Sequence, residues 1–139
     1  MPDDSPTPDE VWGLLTHLVQ DTRDGYKRAV MERTGMPFSR FRVLRRLRSG
    51  PLTIKELAQT ATMDAPAATV AVNDLEDRGL VVREIDRTNR RFKRVSLTEA
   101  GRAMLELGAS TPDPAPDALT TLPPADLRTL RDLLRKLQT

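Results

Sequence analysis

Residues Val81 to Gly101, reading VVREIDRTNRRFKRVSLTEAG, constrain the fold more than any other stretch of the chain. Val81, Val82 and Ile85 predict a first strand, and Phe92, Val95 and Leu97 predict a second. β-branched and aromatic enrichment on both sides of a polar tip is the hairpin signal. Thr98-Glu99-Ala100-Gly101 then opens a helix. Along the hairpin and its flanks, Arg78, Arg83, Arg87, Arg90, Arg91, Lys93 and Arg94 stand against only Glu84 and Asp86. That is a local balance of +5 in a chain whose whole net charge is +2. Such a tip is attracted to a polyanion, and guanidinium planes can enter a narrow minor groove. Arg78 and Arg83 fit either phosphate contacts or structural ion pairs.

The segments before the hairpin read as helices. Asp9 to about Thr34 carries Val11, Leu14, Leu15, Leu18, Val19, Thr22, Tyr26, Ala29 and Val30 at helical spacing. Gly25 weakens this helix locally, and Gly35 and Pro37 stop it. A second helix is expected from about Ser39 to Arg48, with Phe41, Val43, Leu44 and Leu47 apolar. Thr53-Ile54-Lys55-Glu56 has the form of a capping box ahead of a short helix bearing Ile54, Leu57, Ala58 and Ala61. Asp64 suits the N-cap of the next helix, with Pro66 tolerated in its first turn. That helix buries Ala68, Val72 and Leu75, runs to about Arg78, and closes at Gly79. Two short helices joined by a tight turn, then a strand pair, give the order of a winged helix-turn-helix.

Composition excludes several other classes. At 139 residues the chain fits one domain with a core of its own. No apolar run approaches the roughly 18 residues that a membrane span requires. MPDDSPTPDE offers neither the basic nor the apolar region of a signal peptide. The absence of Cys excludes disulfides, thiol catalysis and thiolate metal sites, and suits a cytoplasmic protein. A single histidine, His17, excludes a His-rich metal site. No Gly-rich phosphate loop, carboxylate pair or nucleophilic triad is legible. No enzymatic activity, cofactor or metal is therefore expected.

The chain divides as follows. Residues 1–8 are expected to form a flexible arm, 9–36 an N-terminal dimerisation helix and 37–108 the winged lobe. A Pro-rich connection occupies 109–121, and a C-terminal dimerisation helix occupies 122–139. In the connection, Ser110 to Asp117 reads STPDPAPD, and its alternating prolines forbid a regular helix. The last helix, from about Pro124 to Leu137, carries Leu127, Leu130, Leu133, Leu134 and Leu137 as one stripe. The winged lobe has its own core, so the two terminal amphipathic helices need another surface. Val11, Leu14, Leu15, Leu18, Leu127, Leu130, Leu134 and Leu137 are accordingly expected to form a self-association face.

From about Phe38 to Gly101 the chain resembles the MarR family of bacterial transcription regulators. The resemblance rests on FRVLRRL, PLTIKELA, VNDLEDRGLVVRE and NRRFKRVSLTEAG. The last fits the family's wing pattern of Asp, any residue, Arg, five residues, then Leu-Thr. Arg91, Leu97 and Thr98 match it, and Asn89 replaces the usual Asp. The fold class expected is mostly α with a small β-hairpin wing, flanked by terminal dimerisation helices. The resemblance implies a homodimer whose lobes each place a helix in a major groove of double-stranded DNA and a wing towards a minor groove. The operator would be pseudo-palindromic, with half-sites about one helical turn apart. Many such regulators are repressors released by small aromatic or anionic effectors.

On this basis Thr53, Lys55, Thr69, Asn73, Arg87, Arg90, Arg91 and Lys93 are the expected DNA contacts. Trp12, His17 and Tyr26 stand near where relatives hold ligands, although core or interface packing is the plainer reading of all three. The helix meant to read bases departs from the family. Ala65, Ala67, Thr69 and Val70 occupy its early exposed positions, so a bidentate Arg–guanine contact is unavailable there. This leaves an alternative: a winged protein-interaction module with weak or no sequence-specific DNA readout.

Overall fold

The caps written into the sequence set the helix starts. Thr53 Oγ1 accepts from the Glu56 N–H and Glu56 Oε1 accepts from the Thr53 N–H, each at 3.2 Å, completing the capping box. Asp64 Oδ1 accepts from the Ala67 N–H at 2.7 Å, with Pro66 in the first turn that follows. Thr98 Oγ1 accepts from the Gly101 N–H at 3.0 Å and itself donates to the Gly79 carbonyl at 2.7 Å. One threonine thus starts one helix and ties it to the end of another.

The computed structural model describes residues 3–138. Its helices are α1 (Pro8–Thr34), α2 (Phe38–Arg46), α3 (Ile54–Thr60), α4 (Ala65–Asp77), α5 (Glu99–Ala109), α6 (Asp117–Thr120) and α7 (Pro124–Leu137). A 3-10 turn, Leu47–Ser49, follows α2 and takes up the last residues expected of that helix. The strands are β1 (Leu52–Thr53), β2 (Val81–Ile85) and β3 (Lys93–Leu97), antiparallel in the order β1-β3-β2. Among the described residues, no helix is long and apolar enough to cross a membrane.

Backbone proximity groups the chain into two compact units. Arg23–Thr111 form the winged lobe. Its core holds Val30, Met36, Phe41, Val43, Leu44, Leu47, Leu57, Ala71, Val72, Leu75, Leu80, Val81, Val95 and Leu105. Val30 is fully buried there, so the end of α1 belongs to the lobe and not wholly to a dimerisation helix bounded at residue 36. Two glycines of α5 make the packing close. A Cβ on Gly101 would sit 2.0 Å from the Leu80 carbonyl oxygen, and one on Gly108 would sit 2.3 Å from the Phe41 ring.

Residues up to Thr22 and those from Pro112 onward form the other unit. The first two residues of the expected arm lie outside the described residues; from Asp3 to Thr7 the chain is irregular before Pro8 opens α1. Residues 112–116 have no regular structure, as their prolines require, but a one-turn helix, α6, interrupts the expected connection. Pro116 at its N-cap and the Leu119 N–H to Pro116 carbonyl bond of 2.9 Å account for it. On α7, Leu127, Leu133, Leu134 and Leu137 are exposed. Leu119 joins Leu127, Leu130 and Leu134 around a shallow apolar groove of about 370 Å³.

The wing departs from the expected hairpin in two ways. It has a third strand, β1, whose Leu52 and Thr53 pair with Val95 and Arg94. Two residues beside Pro51 carry no alternation, so only the tertiary pairing makes them a strand. Phe92, expected in the second strand, lies before β3 and is exposed. Its N–H donates to the Asn89 carbonyl at 3.1 Å, which places it in the tip turn instead.

Candidate nucleic-acid interface

The wing is fixed at its base by one buried carboxylate. Arg94 Nε donates to Asp86 Oδ2 at 2.8 Å. The Thr88 N–H and hydroxyl donate to Asp86 Oδ1 at 2.8 and 2.7 Å. The Arg94 guanidinium, and after it the two Thr88 donors, hold the Asp86 carboxyl well below the usual carboxylate range. At the tip, Asn89 Oδ1 accepts from the Arg91 N–H at 3.2 Å. The residue standing in the Asp position of the wing pattern therefore shapes the turn by a hydrogen bond and makes no ion pair.

The positive charge of the hairpin is sorted by these contacts. Arg94 is paired with Asp86, and Arg83 Nη1 lies 3.1 Å from Glu76 Oε1. Asp74 accepts from Arg40 Nε at 2.9 Å and Arg78 Nε at 3.1 Å, which tie α2 and the end of α4 together. The Arg40 and Arg78 hydrogen bonds lower the Asp74 pKa. Arg78 and Arg83 are thus structural ion-pair partners. Among the described residues no ion pair forms at Arg87, Arg90, Arg91 or Lys93, and all four are exposed. The cations left over are those expected to contact DNA.

Five of the eight expected DNA contacts line one groove of about 570 Å³: Thr53, Lys55, Thr69, Arg91 and Lys93. The capping box places Thr53 and Lys55 at the start of α3, one turn into α4 supplies Thr69, and the wing supplies the two cations. Arg87 and Arg90 lie apart from it, around a smaller hollow with Ile85 and Asp86. Asn73 is exposed on α4 outside both, and its Oδ1 accepts from Arg83 Nη2. Thr69 Oγ1 donates to the Ala65 carbonyl at 3.1 Å, so its hydroxyl has only acceptor capacity left. The remainder of the exposed face of α4 is Ala65, Pro66, Ala67 and Val70 in its first half and Glu76 and Asp77 at its end.

Asn89 and Phe92 also line the groove and were not among the expected contacts, and Arg83, left open between a phosphate contact and an ion pair, lines it too. Arg83 was legible in principle. Period-2 alternation puts it on the same face as buried Val81, and its cross-strand partner is buried Val95. Phe92 gave no such signal, because a tip aromatic reads like a strand residue.

The expected ligand residues fall into different units. Trp12, about two-thirds exposed, lines a shallow groove with Leu15, Thr16, Val19 and Gln20. His17, five residues on, turns to another face and lies 3.2 Å from Asp21. Tyr26 belongs to the winged lobe, half-buried, with its ring edge-on to Phe38 and 4.0 Å beneath the Arg23 guanidinium carbon. Val11 and Leu14 are exposed and Leu15 and Leu18 half-buried. Among the described residues, no group of three His, Asp or Glu side chains is placed to hold a metal.

Residues 34–91, spanning the end of α1 to the wing tip, match the MarR family. An uncharacterised HTH-type transcriptional regulator of Bacillus subtilis (strain 168), YwhA, is 36% identical over 59 residues. That match spans 42% of this chain and 42% of the length of YwhA. A probable transcriptional regulator from Pseudomonas aeruginosa is 30% identical, with a TM-score of 0.64 over 88% of this chain and 96% of that one. Sco3205, a MarR family transcriptional regulator from Streptomyces coelicolor solved in complex with DNA, shares the fold at 24% identity. Its TM-score is 0.65 over 98% of this chain and 91% of its own. With the fold and the wing geometry in agreement, the chain belongs to the MarR family of transcriptional regulators.

Proposed function

We propose that this protein is a cytoplasmic, homodimeric repressor that binds a pseudo-palindromic site on double-stranded DNA and is released by a small aromatic or anionic effector. The observation that carries the DNA reading is the convergence of Thr53, Lys55, Thr69, Arg91 and Lys93 on one groove beside α4. Unpaired cations on a rigid wing neutralise phosphates and release counterions, which supplies sequence-independent affinity. Hydroxyl and amide groups on α4 add base readout. The Streptomyces relative in complex with DNA supports the same use of the fold. Two terminal helices with exposed leucines support dimerisation, and the groove beside Trp12 offers an effector an apolar surface.

The test is selection of bound fragments from genomic DNA, followed by salt titrations on the selected and random duplexes. The expected result is a two-fold symmetric site and affinity that falls steeply with salt. A second reading, a winged protein-interaction module, is favoured by the Ala-rich outward face of α4. Failure to be retained on heparin, together with no salt-sensitive shift of any duplex, would decide for it.

A further inference from the structure

The groove shared by the wing, α3 and α4 is not only cationic. Beside Lys55, Arg91 and Lys93 it is lined by the apolar side chains Ile54, Phe92 and Val95. Val95 is fully buried and Ile54 half-buried, whereas Phe92 is 53% exposed. Phe92 belongs neither to the core of the lobe nor to the half-buried apolar shell around it. Its backbone is held on both sides. The Phe92 N–H donates to the Asn89 carbonyl at 3.1 Å, and the Phe92 carbonyl accepts from the Asp86 N–H at 2.9 Å. Asp86 is in turn tied to Arg94, and Asn89 Oδ1 accepts from the Arg91 N–H. The tip turn therefore presents the phenyl ring in the groove between two cations of the same segment, Arg91 and Lys93. Two carboxylates also line the groove, and both are engaged: Asp86 by Arg94 and Thr88, and Glu56 by the Thr53 N–H.

A groove that mixes free cations with an exposed phenyl suits a ligand that alternates anionic and apolar groups. One strand of a DNA backbone does so, because each phosphate is followed by a deoxyribose whose surface is mostly carbon-bound hydrogen. The docking geometry selects the same ligand. One sugar–phosphate strand separates a major groove from the neighbouring minor groove. With α4 in the first and the wing in the second, that strand has to cross the space between them, which is this groove. Arg91 and Lys93 flank Phe92 in sequence, so their backbone positions lie at most about 7 Å apart. We infer that Phe92 is a DNA-contacting residue that packs on a deoxyribose, while the flanking cations hold the phosphates on either side of that sugar. Burying the ring releases no counterions, so the contact adds affinity that depends on neither salt nor base sequence. The inference rests on the DNA-binding reading above and adds an apolar component to it.

The experiment is a set of salt titrations of the full chain on a duplex selected from a randomised pool and on a random duplex. Wild type, Phe92→Ala and Phe92→Leu are compared, each first shown by thermal melting to be folded. Phe92→Ala is expected to weaken both duplexes equally, by on the order of tenfold, with the salt slope unchanged. Phe92→Leu keeps most of the apolar area and is expected to keep most of the affinity. Replacing thymine by uracil in the selected duplex should leave the ratio of wild type to Phe92→Ala as it was. Amide exchange over residues 87–94 should be the same in wild type and Phe92→Ala. If Phe92→Ala binds as tightly as wild type, the ring makes no contact and the inference fails while the DNA-binding reading stands. If the loss is confined to the selected duplex, or disappears with uracil, the ring reads a thymine methyl and the inference fails. If the salt slope falls and the tip exchanges faster, Phe92 only holds the wing in shape and the inference fails. A wild type that binds no duplex overturns both readings.

Discussion

Arg94 donates from Nε to Asp86 Oδ2 at 2.8 Å, and so a cation in the middle of a basic hairpin is turned inward to hold the wing. The same carboxylate caps the start of the tip through Thr88. Asp86→Asn should loosen the tip, with faster amide exchange over residues 87–92 and weaker DNA binding although no cation has been removed. The pH dependence follows from the lowered Asp86 pKa. A carboxylate with a depressed folded-state pKa stabilises the fold above its unfolded value of about 3.9, and that contribution is lost as the pH falls through the folded value. The melting difference between wild type and Asp86→Asn should be constant above about pH 5 and shrink below about pH 4. Parallel melting curves down to the acid limit would show that the ion pair adds nothing.

The glycines of α5 give a packing test with an internal control. Gly101→Ala drives a methyl into the Leu80 carbonyl, which already accepts the Thr98 N–H at 3.1 Å. Gly108→Ala drives one into the fully buried Phe41 ring. Each should cost about 1–3 kcal/mol, with Gly101 at the upper end because backbone yields less than a ring. Gly25→Ala, in α1 with nothing within 4 Å of the added Cβ, should instead stabilise by about 0.5–1 kcal/mol. Denaturant titrations of the three variants check both signs.

Arg91 belongs to the groove and pairs with no carboxylate, unlike Arg83 and Arg94. Arg91→Ala should weaken binding several-fold and lower the salt slope by about 1 per wing, so about 2 per dimer. Arg78→Ala should leave the slope unchanged and act on stability, since its partner is Asp74. Salt titrations on specific and random duplexes separate the two. An unchanged slope for Arg91→Ala would remove the wing from the DNA interface.

The leucines of α7 test self-association. Leu130 is half-buried and Leu134 is exposed, on the walls of one apolar groove. Burying each leucine against a partner is worth roughly 1.5–3 kcal/mol. Leu130→Asp with Leu134→Asp should give monomers or unfolded chain by analytical ultracentrifugation. A folded double variant that still sediments as a dimer would place the interface elsewhere.

The amino-acid sequence by itself determined what is local. The capping residues Thr53, Asp64 and Thr98, the stop at Gly79 and the irregular stretch after Ser110 rest on one or two turns of backbone chemistry. The buried positions Phe41, Val43, Leu44, Leu57, Ala68, Val72 and Leu75 follow from helical period alone. The groove cations were also legible, because charge that finds no partner nearby in sequence stands out against the local balance.

Tertiary structure decided what depends on distant pairs. Leu52 and Thr53 are a strand only because Val95 and Arg94 lie opposite them. Of seven clustered cations, the three that are neutralised were selected by which carboxylate came within reach: Asp74 for Arg78, Glu76 for Arg83, and Asp86 for Arg94. Arg94 makes the point sharply. Its partner in register is Glu84, yet its ion pair goes to Asp86, two residues along the same strand path. Hydrogen-bond geometry is set to tenths of an ångström by how elements pack, and residue order along the chain carries no such distances. Hence the sequence could name the candidate DNA-contacting side chains, and only the fold could say which of them are already engaged by other residues of the chain.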